Sequence, residues 1–186
     1  MIVTLKTDPD PGTVDVVPLV DGRVSGAAPT AVSAPDGTLA PFGFAVADGI
    51  AIITLAHSNQ DGVFRDGAFV SVTDAGQAAP CWMTRAGKYL FTANTGSKTI
   101  SRLIATGNNV FVDGLVAASI ATGGAPSDID AEAGVLAIID HGGGESHVSL
   151  FTYNTFGELT VSGTTISVGA ANANGIALMS RVERVR

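Results

Sequence analysis

Short apolar runs recur along the chain, each four to six residues long and cut off by glycine, aspartate or asparagine. Ile50–Leu55, Tyr89–Thr92 and Val135–Ile139 are the strongest. Runs of this length, rich in β-branched and aromatic residues and bounded by turn formers, predict strands. No amphipathic stretch of helical length separates them.

The runs sit inside a repeat. Pro41-Phe42-Gly43-Phe44 opens one copy, Asp48-Gly49 turns it, and Ile50–Leu55 follows. The next copy reads Pro80-Cys81-Trp82-Met83, Ala86-Gly87, Tyr89–Thr92. The third reads Pro126-Ser127-Asp128-Ile129, Ala133-Gly134, Val135–Ile139. The opening prolines are 39 and then 46 residues apart, and Asn174-Gly175-Ile176-Ala177-Leu178 begins a further opening about 47 residues later. Two more strands follow each apolar run: Thr99–Ala105 and Leu115–Ala121 in one copy, His147–Tyr153 and Leu159–Ser167 in the next. Four strands per 40 to 47 residues is the arithmetic of a β-propeller blade.

The ends complement each other. Ile2–Leu5, Val14–Leu19 and Ala27–Ser33 form a blade without an inner strand, and Asn174–Leu178 is an inner strand without a blade. The chain is therefore expected to be one all-β propeller domain of four blade-equivalents. These are 1–38 with 174–178, then 41–78, 80–124 and 126–170, the terminal strands sharing the first blade. The repeat opening at Pro41 is short by about seven residues between Gln60 and Gly67, which predicts an irregular or three-stranded second blade. Such a chain can close as a four-bladed ring, join a second copy in an eight-bladed homodimer, or stay an open half. Blades shaped for a larger ring favour the homodimer.

Ala79-Pro80-Cys81-Trp82-Met83, with Ala86-Gly87-Lys88-Tyr89-Leu90-Phe91-Thr92-Ala93-Asn94-Thr95-Gly96-Ser97-Lys98-Thr99-Ile100-Ser101 after it, resembles the lactonase family of β-propellers. That family includes cycloisomerase-type 6-phosphogluconolactonases and carboxymuconate-lactonising enzymes. The other blade openings, and Ile2-Val3-Thr4-Leu5-Lys6 with Gly12-Thr13-Val14-Asp15-Val16, match the same pattern. Members of the family are seven-bladed and nearly twice as long, so the likeness is to their C-terminal half. It implies a hydrolase or lactonising isomerase acting on a small lactone or sugar-acid derivative, with no metal or cofactor.

Charge narrows the partners. Ten Lys+Arg against 17 Asp+Glu give a net charge of −7, so no basic stripe for nucleic acid or an anionic membrane can be assembled. Hydrophobic residues at 46% and charged residues at 15% describe a chain that folds. No apolar run reaches the roughly 18 residues of a membrane-spanning helix. Cys81 is the only cysteine, which excludes an intrachain disulfide. The start lacks a leader pattern, so the default expectation is cytoplasmic, although the resemblance leaves secretion open.

A propeller's site lies at the channel mouth, lined by the loops entering inner strands and those leaving the second strands. Opening a lactone needs a general acid/base and a cation or donor for the developing charge. His57, His141 and Glu145 are the acid/base candidates, and Lys6 and Lys98 the cations. Asn94, Trp82 and Asp128 are further substrate contacts. Asp140-His141-Gly142-Gly143-Gly144-Glu145-Ser146-His147 concentrates titratable groups but matches no strong metal motif. Each candidate has a structural alternative: Asn94 as a turn former, Trp82 as packing, Asp128 as an acceptor for loop amides. A non-catalytic scaffold for a ligand or protein is the competing class. The two separate on whether His57, His141 and Glu145 converge within about 10 Å.

Overall fold

The computed structural model describes residues 1–6 and 11–179. All regular structure in them is β. Sheet I is β1 (Ile2–Leu5), β2 (Thr13–Val16) and β5 (Thr30–Ser33), in that order, with a small ribbon of β3 (Leu19–Val20) and β4 (Arg23–Val24) inserted between the last two. Sheet II is β6 (Pro41–Ala47), β7 (Ile50–Leu55), β8 (Gln60–Arg65) and β9 (Ala68–Asp74). Sheet III is β10 (Pro80–Ala86), β11 (Tyr89–Asn94), β12 (Thr99–Thr106) and β13 (Asn109–Ser119). Sheet IV is β14 (Ala125–Glu132), β15 (Val135–Gly142), β16 (Glu145–Tyr153) and β17 (Leu159–Val161), with β18 (Ile166–Ser167) also paired to β16. Every pairing is antiparallel, and sheets II and III are four-stranded meanders, the blade topology of a propeller.

The sheets stack face to face, and the apolar second strands supply both sides of the stack. In β7 every residue is buried: Ile53 and Ala51 meet Val14 of sheet I, while Ile52 and Ile50 meet Leu90, Leu103 and Val110 of sheet III. Phe91 and Ile100 on the other face of sheet III meet Leu136, Ile138 and Phe151 of sheet IV. A strand covered on both faces has no place for a polar alternate position, which is why these runs read as continuously apolar. Burying a side chain of this size contributes about 1.5–3 kcal/mol, so these layers are the main source of stability.

Hydroxyls key one sheet to the next. Thr4 Oγ1 donates to Phe42 O at 2.6 Å, Thr54 Oγ1 to Cys81 O at 3.1 Å, and Thr95 Oγ1 to Pro126 O at 2.8 Å. Thr4 lies near the end of β1, Thr54 near the end of β7 and Thr95 just after β11, and each reaches the first residues of the first strand of the next sheet. The inner strands thus lie side by side, β10 between β6 and β14.

Two expectations need correction. The second blade is four-stranded, not irregular: Gln60–Arg65 is a full strand laddered to β7 and β9. Its brevity lies in the connections, where Asp66-Gly67 turns with φ of 50° and 82°, a conformation that Asp-Gly tolerates. The second concerns Asn174–Leu178, expected to pair with Ile2–Leu5. The ladder described for β1 is with β2, and 174–178 forms no strand. Instead Ile176 N donates to Asp128 Oδ2 at 2.9 Å and Leu178 N to Asp130 Oδ2 at 2.7 Å. Two carboxylates two residues apart on β14 hold the segment beside sheet IV, because a charged acceptor outcompetes a neutral carbonyl for an amide.

Candidate functional site

Where the ends of β1, β6 and β10 meet, the side chains are unlike the aliphatic layers behind them. Thr4 and Lys6 come from the end of β1, Phe42 and Phe44 from β6, and Trp82 and Met83 from β10. With Gly43 they line an open cleft of about 380 Å³, within the size range of small-molecule sites. The Trp82 and Phe42 ring centroids are 4.7 Å apart with the planes inclined at 57°. Lys6 Nζ lies 4.7 Å from the Phe42 centroid. The result is an ammonium, a phenyl and an indole in sequence along one wall.

Backbone geometry fixes that wall. Gly43 separates Phe42 from Phe44, and a Cβ there would collide with the Cys81 carbonyl oxygen. Only glycine lets β6 approach β10 closely enough for the Phe42–Trp82 contact. The Thr4 and Thr54 hydroxyls hold the Phe42, Gly43 and Cys81 carbonyls from behind. The cation over the phenyl face is worth about 0.5–1 kcal/mol at an exposed position, which orients Lys6 without removing its N–H donors from an incoming anion.

The remaining sequence candidates lie elsewhere. Asn94 is fully buried; its Nδ2 donates to Thr99 Oγ1 at 3.1 Å and Ser101 Oγ at 2.8 Å, in the seam between sheets II and III. Lys98 has an exposed side chain in the β11–β12 turn, with φ of 59°, and its amide donates to Asn94 O. Asp128 is half-buried, and its two oxygens accept the Ile129 and Ile176 amides. His141 and Glu145 flank the β15–β16 turn: His141 Nδ1 is 2.9 Å from Ser146 Oγ, and Glu145 Oε2 accepts from Ser167 Oγ at 2.7 Å. His57 occupies the turn after β7 in sheet II, so sheet III stands between it and the His141–Glu145 pair.

The cleft therefore unites two of the eight candidates, Lys6 and Trp82. Thr4, Phe44 and Met83 carried no sequence signal beyond strand periodicity. Within the titratable stretch 140–147, His147 Nδ1 lies 3.7 Å from the buried Asp140 Oδ1, in sheet IV away from the cleft. Among the described residues no group of three or more His, Cys, Asp or Glu is arranged to hold a metal ion.

No protein-family model matches the chain, and no curated protein does. Solved structures do. A protein of unknown function from Desulfotomaculum acetoxidans matches with a TM-score of 0.62 and 17% identity, over 86% of this chain and 50% of the other. A chain of the nidogen/laminin complex matches with a TM-score of 0.64 and 14% identity, over 93% of this chain and 62% of the other. Streptogramin B lyase matches with a TM-score of 0.56 and 17% identity, over 87% of this chain and 54% of the other. The chain thus spans about half to three-fifths of the length of the structures it matches. At such identities the likeness concerns the fold, and the fold is that of an all-β propeller.

Proposed function

We propose that this chain is the ligand-binding part of a β-propeller and that the Lys6–Phe42–Trp82 cleft takes a small planar anion, such as an aromatic carboxylate. The inclined Phe42–Trp82 pair, with Lys6 at its edge, carries the reading. Rings already in contact and inclined at 57° form a bent aromatic wall, the wedge, against which a flat molecule lays one face. The lysine then meets a carboxylate at the rim with a charge-assisted hydrogen bond. Acidic residues outnumber basic ones along the chain, and Lys6 is the one cation among the described residues lining the cleft, which selects for one negative charge rather than for a polyanion.

A lactone-opening enzyme, as the family resemblance implies, is the second reading. Lys6 would favour it by stabilising the carboxylate that forms. Against it, the described residues lining the cleft include no Asp, Glu or His to act as acid or base. Ser146, within reach of His141, is fully buried and already accepts the Ala173 amide, so it is no accessible nucleophile. Structures that share this fold include a lyase and a chain of a protein–protein complex, so the fold does not choose between the readings.

Calorimetric titration with benzoate, indole-3-acetate and the neutral benzamide separates the two readings, run beside a hydrolysis assay on the aromatic lactone dihydrocoumarin. The binding reading expects saturable heat with the carboxylates, weaker binding of benzamide and no lactone turnover. Turnover dependent on Lys6 would favour the enzyme instead. Absence of binding by all three ligands would discard the cleft.

A further inference from the structure

The apolar layer between sheets II and III gives way, toward the cleft end, to a polar one. Ile52 and Val63 are laddered partners facing Leu90 and Leu103, also partners. Two residues further along each strand, the same faces carry Thr54 and Asp61 on one side and Thr92 and Ser101 on the other, followed by Asn94 and Thr99. All six are buried, Asp61 with 1% of its surface exposed.

A count of donors and acceptors shows what this layer lacks. Asn94 Nδ2 is spent on Thr99 and Ser101, Ser101 Oγ on Leu115 O, and Thr99 Oγ1 on Gln77 Oε1. Thr54 Oγ1 is shared between Gly43 O and Cys81 O, 3.1 Å from each. Asp61 Oδ1, Asn94 Oδ1 and Thr92 Oγ1 have no partner. The layer is thus rich in acceptors, and an ionised Asp61 adds a further strong one. Among the described residues of the strands around it, the arginines are engaged elsewhere. On β8, β10 and β12, Arg65 is bound to Asn108 and Gly107, Arg85 to Asp48 and Gly87, and Arg102 to Asp113 and Phe156. On β7, β9, β11 and β13, Thr54, Thr73, Thr92 and Asn94 are uncharged, the exposed Asp74 pairs with Gln60 at the strand end, and Asp113 is held by Arg102. The buried Cys81 on β10 also lies beside the seam, and His57 and Lys98 stand in the β7–β8 and β11–β12 turns at its end. Desolvation alone pushes the Asp61 carboxyl up to about 7.

The connection to the cleft runs through one hydroxyl. Thr54 lies directly opposite Asp61 in the β7–β8 ladder. The carbonyls it holds belong to Gly43, which follows Phe42, and to Cys81, which precedes Trp82. We propose that Asp61 is a proton-operated control on the ligand cleft: the neutral acid leaves the Thr54 hydroxyl on the Gly43 and Cys81 carbonyls, and the carboxylate draws it away. The bond exchanged is an O–H···O=C hydrogen bond for an O–H···⁻O one, with the proton passing from the acid to solvent. Losing the Thr54 clamp frees the Phe42 and Trp82 segments to separate, so the wedge is tight in acid and loose in base. The regulatory role rests on the cleft being the binding site; the coupling itself does not.

Trp82 is the only tryptophan in the chain, so its emission reports the wedge with no ligand present. Emission excited at 295 nm is followed from pH 5 to pH 9 in wild type, Asp61→Asn and Thr54→Val. Wild type is expected to show one transition with a midpoint near 7, absent from Asp61→Asn, which mimics the neutral acid, and strongly reduced in Thr54→Val. A flat wild-type profile overturns the proposal. So does an unchanged transition in Asp61→Asn, which would assign the titration to a histidine. If Asp61→Asn fails to fold, the Thr54→Val profile decides alone, an unshifted full transition refuting the coupling. A transition that behaves as expected while no carboxylate binds would refute the cleft's function and leave the coupling standing.

Discussion

The rings of Trp82 and Phe42 lie 4.7 Å apart and 57° from parallel, although 40 residues of sequence and two different sheets separate them. Their contact is set by what lies behind: Gly43 lets the strands approach, and the Thr4 and Thr54 hydroxyls hold the carbonyls on either side. A contact this dependent on backbone position is sensitive to small changes. Gly43→Ala puts a Cβ against backbone that cannot swing away, and is expected to cost about 2 kcal/mol or more. Chemical denaturation measures this, with the carboxylate affinity falling in the same variant.

Phe42→Leu keeps the volume roughly constant but removes one ring of the wedge and the surface under Lys6. It is expected to lower stability by about 1 kcal/mol and to weaken carboxylate binding by more than tenfold. Equal affinities in wild type and Phe42→Leu would show that the ligand does not use this wall.

Asn94 behaves as a structural residue in this account. Asn94→Ala strands the buried hydrogen-bonding groups it now joins and is expected to destabilise the protein by about 2–4 kcal/mol. Where the variant remains folded, its ligand affinity should match wild type. A selective loss of affinity with normal stability would return Asn94 to the binding site.

Stability should depend on pH through Asp61. Its folded-state pKa, about 7, is raised from an ordinary 3.8, so the folded protein holds a proton that the unfolded chain gives up between those values. The stabilising contribution is full below about 3.8 and is lost as pH rises through 7. Thermal unfolding should therefore occur several degrees lower at pH 8 than at pH 5, and Asp61→Asn should reduce that difference by being more stable at pH 8. A variant less stable than wild type at pH 8 would mean that Asp61 has an ionic partner.

The segment after sheet IV is held by carboxylates rather than by a ladder. Replacing Asp128 and Asp130 together by alanine removes the acceptors of the Ile176 and Leu178 amides. Hydrogen exchange at those two amides should accelerate by at least an order of magnitude, with little change at Leu136 or Ile138 in the core. Unchanged exchange at Ile176 would show that something else anchors the segment.

Much of the architecture is legible in the sequence because the second strands are buried on both faces. Ile50–Leu55 has no solvent side to encode, so it stands out as an unbroken apolar run between an Asp-Gly turn and a polar loop. Gln60-Asp61-Gly62 misleads for the opposite reason. A polar residue beside glycine reads as a turn, yet the ladder to Thr54 carries Asp61 into the interior. Asn174–Leu178 carries the residues of an inner strand, but a strand also needs a neighbouring edge, and that information lies in Asp128 and Asp130 on another sheet. Lys6 and Trp82 were within reach because the repeat fixes their positions near the inner edge. Asn94 shares that level but faces a neighbouring sheet, a difference of one step in the pleat.

Binding at the wedge is tested most directly by the emission of Trp82 during titration with indole-free aromatic carboxylates, benzoate first, at pH 6. The account predicts a saturable change in wild type that shifts at least tenfold to higher benzoate concentration in Lys6→Gln and is not produced by benzamide over the same range. No saturable change, or one identical in Lys6→Gln, would contradict it.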